Sequence, residues 1–258
     1  MRYIYISSSN VAKYTGHNKY QSLEKTVNEL LSKNGIKDVY VPKSNVEDTL
    51  STLSEEKLAL LRKELSLPND CGIDHIEHHI KKEIMFPSYN SLLSEEESKR
   101  LVDEKLKDKP IATEISLGIK QDLRMKRGNI KEDRNLNTIE EKNKISIVKR
   151  NSRMYTKELY RCDTYVIILR GKVDGQSDDT VIESKNRTKC LFKELREYER
   201  VQLECYMFLT GLKRSLLTEH FNKTEHCIEY HHDEEFWREC IRKISTFMDT
   251  HIVPCMRE

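Results

Sequence analysis

The chain has 258 residues, of which 37% are apolar and 34% charged, with a formal net charge of +2. That length accommodates one large domain or two small ones. No apolar run approaches the roughly 20 residues that cross a bilayer, so a membrane-spanning chain is not expected. The opening MRYIYISSSN lacks the apolar stretch of a secretory signal. The seven cysteines, at 71, 162, 190, 205, 227, 240 and 255, are odd in number and no two lie within three residues. This spacing argues against a disulfide framework and against a Cys-x-x-Cys cluster. They read as reduced thiols of a cytosolic or nuclear compartment.

Taken in chain order, SSSNVAKYTGHNKYQS reads as a Ser-capped short helix stopped at Gly16, followed by a loop. SLEKTVNELLSKNG reads as a helix with Gly35 at its C-terminal stop. From about 54 to 107 come three charged helical stretches, broken at LPNDCG and FPSYN. Their weak apolar stripe predicts loose packing onto something else. After Pro110 a helical pattern carries Ile111, Ile115, Ile119, Leu123, Ile130, Leu136 and Ile139. The period then changes: ISIVKR, YTKELY, TYVIILRGKVDG and TVIESK are β-rich runs. YERVQLECYMFLTG returns to helix. SLLTEHF and HCIEYHH flank NKTE as a hairpin, and DEEFWRECIRKISTFMDTHI is an amphipathic helix. This order predicts an α/β fold, a mixed sheet flanked by helices. The expected division is an N-terminal segment over 1–43, a charged helical insertion or lobe over 44–109, and the core over 110–258.

Charge is unevenly spread. Residues 44–108 hold 15 Asp/Glu against 9 Lys/Arg, whereas 120–161 hold 13 Lys/Arg against 6 Asp/Glu. A basic block beside an acidic one implies that one face meets a polyanion. Within it, Lys120, Arg124, Lys126, Arg127 and Lys131 would track phosphates, which position a duplex without reading its bases. The acidic insertion is expected beside that basic helix, limiting what enters a groove or receiving a protein partner.

The chemistry concentrates around VIESKNR. On a strand, residues two apart share a face, so Glu183 and Lys185 aim a carboxylate and an ammonium at one spot. Asp174 ends the preceding apolar strand, and the polar QSDDT turn would bring it back near Glu183. Two close carboxylates repel unless a positive charge sits between them. A hard divalent cation is the natural occupant, since Mg²⁺ takes one or two carboxylates with waters and phosphate. Lys185 could orient or deprotonate a water bound there. Glu132 follows Gly128 on the helix before the strands, and Gln202 and Tyr206 lie one turn apart on the helix after them. The bland reading is a turn aspartate beside a surface ion pair.

Gly-x-x-x-Glu at 128–132, Val-Asp-Gly at 173–175, Glu-Ser-Lys-Asn-Arg at 183–187 and Gln-x-x-x-Tyr-Met at 202–207 together resemble the PD-(D/E)XK nuclease superfamily. More narrowly they are similar to lambda-exonuclease and YqaJ-type viral recombinase nucleases. The opening ISSSNVAKYTGHNKYQS is similar to that family's N-terminal Ser-x-x-Ala…Gly-x-x-x-Tyr segment. The resemblance covers residues 3–20 and about 112–250, and not 44–108. A Lys- and Asn-rich chain would suit a large DNA virus, acting in the host cytoplasm.

What the resemblance implies is a restriction-endonuclease-like core and a Mg²⁺- or Mn²⁺-dependent DNA nuclease. The expected activity is 5′-to-3′ exonucleolytic, on double-stranded DNA with an end, serving recombination, repair or replication. A single-strand-annealing partner and a homo-oligomer, such as a trimeric ring, come with it. Glu132, Asp174 and Glu183 would bind metal, with the Ser184 carbonyl as a further ligand. Lys185 would be the water-activating lysine and Gln202 a support from the neighbouring helix. The family's arginine for a 5′-terminal phosphate has no match in GHNKY; Ser8, His17 or Lys19 would substitute. Arg187 and Tyr206 join Lys126 and Arg127 as expected DNA contacts. Rival readings are a structure- or sequence-specific endonuclease on the same fold and a non-catalytic DNA-binding module. His75, His78, His79, His231 and His232 have helical or neighbouring spacing but no fourth ligand in sequence, and read as solvated polar positions.

Overall fold

The computed structural model describes residues 1–39, 44–89, 93–143, 145–150, 153–222 and 224–256. The elements run β1 (Arg2–Ser7), α1 (Val11–Tyr14), α2 (Leu23–Lys33), α3 (Asn45–Ser51), α4 (Glu55–Glu64), α5 (Ile73–His79), α6 (Glu95–Leu106), α7 (Pro110–Glu114) and α8 (Ser116–Asn143). Then follow β2 (Lys149–Arg150), β3 (Tyr155–Arg161), β4 (Tyr165–Gly171), β5 (Gly175–Gln176), β6 (Thr180–Asn186), α9 (Glu197–Thr210), β7 (Arg214–Phe221), β8 (Thr224–His231) and α10 (Glu234–Phe247). The chain divides into two compact units, 1–41 with 133–258, and 42–132. Among the described residues no helix is long and apolar enough to cross a membrane.

The first unit is α/β, with mixed sheets and helices around one main apolar core. One sheet has the order β1-β4-β3, with β1 parallel and β3 antiparallel to β4. The other has the order β2-β5-β6-β7-β8, in which only β6 and β7 run parallel. Tyr165, Ile167 and Leu169 alternate inward from β4 and meet Val201, Cys205 and Leu209 of α9 and Trp237, Ile244 and Met248 of the C-terminal helix. α10 starts where the Asp233 carboxylate accepts the Phe236 amide, the Asp cap that the sequence DEEF implies. α2 begins at Ser22, whose hydroxyl accepts the Lys25 amide, and gives way to Gly35 at φ +57°.

Two elements differ from expectation. Arg2–Ser7 forms β1 with its register fixed along β4 from Tyr165 to Arg170; the alternation of Ile4 and Ile6 between Tyr3, Tyr5 and Ser7 is a strand pattern. Of ISIVKR only Lys149–Arg150 pairs as strand. Ile147 instead packs with Leu136, Ile139 and Ile182, and its amide donates to Glu140 Oε1 at 2.7 Å. A helix side chain has taken the hydrogen bond that a sheet neighbour would have made.

The second unit is helical and has a core of its own: Val46, Leu50, Leu61, Ile76, Ile80, Ile84, Val102, Leu106, Ala112, Ile115, Ile119 and Leu123. The expectation of loose packing fails because no single helix carries the stripe; several short helices each give a few apolar residues. The unit also runs past the expected 44–109 stretch to Glu132, since Ala112, Ile115, Ile119 and Leu123 belong to its core. Its carboxylates close helix starts. Asp122 accepts the Asn45 and Val46 amides at 3.0 Å each and the Asn45 side chain at 2.7 Å. Glu64 accepts the Ile111 and Ala112 amides at 3.0 and 2.9 Å. Both satisfy orphan N–H groups at a helix N-terminus and favour its dipole.

Candidate active site

β6 lies between β5 and β7 and is apolar at its start, with Val181 and Ile182 fully buried. Its antiparallel register with β5 pairs Gly175 with Ile182; continued by one residue, it sets Asp174 opposite Glu183. The turn between them closes on Ser177, whose amide donates to the Thr180 carbonyl and whose hydroxyl accepts the Thr180 amide. Gly175 is required for close packing, because a Cβ there would lie 3.2 Å from Ile147 and 3.3 Å from Leu136. The hairpin therefore brings Asp174 to β6, where Asp174 Oδ2 accepts the Ser184 amide at 2.8 Å.

Glu183 is 3% exposed. Its Oε1 accepts from Lys185 Nζ at 2.5 Å, and its backbone carbonyl accepts from Thr218 Oγ1 on β7. Oε2 is buried with no hydrogen-bond partner. Burial by itself would lower the Lys185 ammonium, but the charges of Glu183, Asp174 and Glu199 outweigh it and hold it above the ordinary lysine value. Nζ also donates to Gln202 Oε1 at 3.0 Å, and Gln202 Nε2 donates to the Tyr206 hydroxyl at 2.8 Å. Tyr206 is buried, and its hydroxyl is hydrogen-bonded to Ser8. Burial foremost, then Glu183 and Asp174, raises the Tyr206 phenol well above its usual value, so it stays neutral. A polar chain thus runs Ser8–Tyr206–Gln202–Lys185–Glu183, and its two ends fix which way the Gln202 amide points.

Arg187, expected to touch DNA, is buried among carboxylates. Its side chain is 9% exposed. Nε donates to Glu219 Oε1 at 2.6 Å and Nη1 to Glu199 Oε1 at 2.7 Å. Its guanidinium lies 4.1 Å from the Phe192 ring centroid. Glu219 also accepts the Phe192 and Lys193 amides at 3.3 and 2.8 Å. A buried arginine with carboxylates on two edges is a structural cation here, tying α9, β7 and the loop after β6 together.

The remaining expected residues scatter. His17 Nδ1 is 2.8 Å from Thr15 Oγ1 and its ring packs on Phe236, away from the cluster. Burial, then Lys243, lowers its pKa. Lys19 and Lys126 are exposed, and the Arg127 side chain lies outside the described residues. Glu132 is half-buried on α8 as the last residue of the second unit, one helical turn before Asn135. Asn135, not anticipated, donates to Ser184 Oγ at 3.2 Å and Asn186 Oδ1 at 3.0 Å. Glu199, Glu219 and Thr218 were also not anticipated. A signal was present for Glu199, which precedes Gln202 by one turn of α9.

Among the described residues no three His, Cys, Asp or Glu side chains form a group able to hold an ion. The fit therefore rests on two carboxylates. Asp174 is hydrogen-bonded to the backbone of β6 next to Glu183, and Glu183 keeps one buried oxygen unpartnered. This suits a small oxygen-seeking cation that fills its remaining positions with water.

No protein-family model matches the chain, and no curated protein matches it. Similar solved structures include the alkaline exonuclease LHK-Exo from Laribacter hongkongensis, 14% identical with a TM-score of 0.41, covering 52% of this chain and 71% of that one. The complex of LHK-Exo with dAMP is 15% identical with a TM-score of 0.39, covering 52% and 70%. The protein SSO0001 is 14% identical with a TM-score of 0.38, covering 78% and 90%. At these scores the functional reading rests on the cluster itself.

Proposed function

We propose that the chain is a divalent-cation-dependent nuclease that hydrolyses phosphodiester bonds of DNA on a restriction-endonuclease-like core. The observation that carries this is Glu183: a buried carboxylate opposite Asp174, with one oxygen on Lys185 and the other without a donor. An unsatisfied buried polar atom costs about 1–3 kcal/mol, more when charged. A protein that maintains that cost at the centre of a polar cluster gains from a ligand that removes it. Asp174 and Glu183 would hold Mg²⁺ or Mn²⁺, with Glu132 and the Ser184 carbonyl joining by resemblance. Such an ion, when bound, polarises a scissile phosphate and makes an attacking water more acidic.

The chain's own residues do the rest. Lys185, hydrogen-bonded to Glu183 and Gln202, is placed to orient the attacking water. Gln202 holds Nζ in place, and Tyr206 with Ser8 holds Gln202. Asn135 holds the side chains of Ser184 and Asn186 on the face of β6 opposite Glu183 and Lys185. The finer reading is a 5′-to-3′ exonuclease on double-stranded DNA ends, with a strand-annealing protein as partner; it is supported by the sequence resemblance. Incubation with end-labelled linear duplex and Mg²⁺ should release label, and chelation should stop it. Covalently closed circles should stay intact, and cutting them would make the enzyme an endonuclease. Absence of any metal-dependent release from linear duplex rejects the proposal.

A further inference from the structure

The carboxyl ends of β1 and β4 carry a second feature that the cleavage chemistry does not use. Tyr3 and Tyr5 lie two apart on one face of β1 and are 52% and 40% exposed. Their spacing along the strand is about 6.6 Å, close to twice the base separation of about 3.4 Å. The Arg170 guanidinium stacks on Tyr5 at 3.7 Å from the ring centroid. Register places Arg170 opposite Ser7, on the same face of the sheet as Tyr5.

Beside this platform is a cavity of about 450 Å³ bordered by Tyr5, Ser8, Lys33, Arg170, Lys172 and Tyr206. Its size falls within the range of about 300–1,000 Å³ of pockets that hold small ligands. Arg170, Lys172 and Lys33 are exposed and form no ion pair among the described residues. The edge of β1 is closed at Tyr5, where Asn34 accepts its amide at 2.7 Å and donates to its carbonyl at 3.1 Å. A peptide strand therefore cannot add there. Tyr5 is left beside a cavity bordered by three cations, Lys33, Arg170 and Lys172.

We propose that this face binds single-stranded nucleic acid, with a base stacked on Tyr5 toward Tyr3 and phosphates on Arg170, Lys172 and Lys33. Stacking is tolerant of sequence because every base has a π-face, and the unpaired cations match the backbone. The proposal takes the identity of its ligand from the nuclease reading and adds a single-stranded segment to the substrate. Tyr206 and Ser8 line both the cavity and the polar chain to Lys185, so a strand seated here lies next to the cluster.

The test is anisotropy of a labelled short oligothymidylate on the full chain in chelator, with thermal unfolding as the control for folding. Tyr5→Ala should weaken binding about tenfold, within the range measured for losing one stacked base. Tyr5→Phe should bind as wild type and Tyr5→Leu should not, which separates ring stacking from apolar bulk. Arg170→Gln should reduce the slope of log affinity against log salt by about 0.7, the value for one single-strand phosphate contact. Hydrolysis of bis(p-nitrophenyl) phosphate with Mn²⁺ reads the cluster alone and should be unchanged by Tyr5→Ala. Loss of that hydrolysis in wild type would reject the nuclease reading and leave the binding result standing. Folded Tyr5→Ala and Arg170→Gln proteins that bind the oligonucleotide like wild type would overturn the proposal, as would a change in self-association in place of oligonucleotide affinity.

Discussion

The two units use carboxylates for different ends, half-buried ones in the helical unit and buried ones in the α/β unit. In the helical unit Asp122 and Glu64 lie at the N-termini of α3 and α7, where backbone amides occupy their oxygens. In the α/β unit Glu183, Glu199 and Glu219 lie among β6, β7 and α9, facing Lys185 and Arg187. Among the described residues, the buried side-chain atoms without a hydrogen-bond partner are on Gln21, Glu183, Arg187, Glu199, His220 and His226, all in the α/β unit. Buried charge alone therefore does not mark a site.

The sharpest break of that contrast is at Glu183 and Lys185. Glu183→Gln keeps the shape and removes the charge, and cleavage of labelled duplex should fall by at least about a hundredfold, as when a single charge-stabilising group is lost. Metal titration by calorimetry should weaken in parallel. Lys185→Ala should lose turnover with metal binding retained; near wild-type cleavage by this variant would remove the role assigned to Lys185.

Arg187→Met tests whether the network beside the cluster is structural. Leaving Glu199 and Glu219 buried without their cation should cost about 3–5 kcal/mol in urea unfolding. A loss of duplex affinity with stability unchanged would restore Arg187 as a DNA contact. The pH profile sharpens the point. Burial by itself would raise the Glu219 carboxyl, but the Lys193 amide, Arg187 and the Phe192 amide hold it below its usual value. A depressed carboxyl contributes stability that is complete above its unfolded pKa of about 4.3 and lost as pH falls through the folded value. Stability of the wild type should therefore fall more steeply below about pH 4.3 than that of Glu219→Gln; parallel acid limbs would contradict this.

Gly171→Ala and Asp122→Ala carry smaller effects. A Cβ at Gly171 would stand 2.4 Å from Ser8 Oγ and 3.0 Å from Leu209 Cδ1, so overpacking of about 1–3 kcal/mol is expected. Displacing Ser8 should also lower cleavage through Tyr206 and Gln202. Asp122→Ala removes the cap of α3 and should cost about 1 kcal/mol with cleavage by the α/β unit unchanged. If Asp122→Ala reduced cleavage as much as Gly171→Ala, the contrast between the units would not hold.

The sequence by itself determined what depends on near neighbours. Strand period put Glu183 and Lys185 on one face, the QSDDT turn returned Asp174 to β6, and the helical turn from Gln202 to Tyr206 aligned their polar ends. Gly16 and Gly35 marked helix ends through local backbone chemistry. Only the tertiary structure decided the partners brought from far along the chain. Arg187 has the sequence of an exposed phosphate contact, and it is buried because Glu219 arrives from β7 and Glu199 from α9. The helices of 44–132 have weak stripes, and they form a core because several of them share it. Isoleucine and valine in ISIVKR satisfy strand propensity, yet Glu140 claims the Ile147 amide. Local pattern fixes which way a side chain faces; what it meets there is set by packing between segments that the linear order keeps apart.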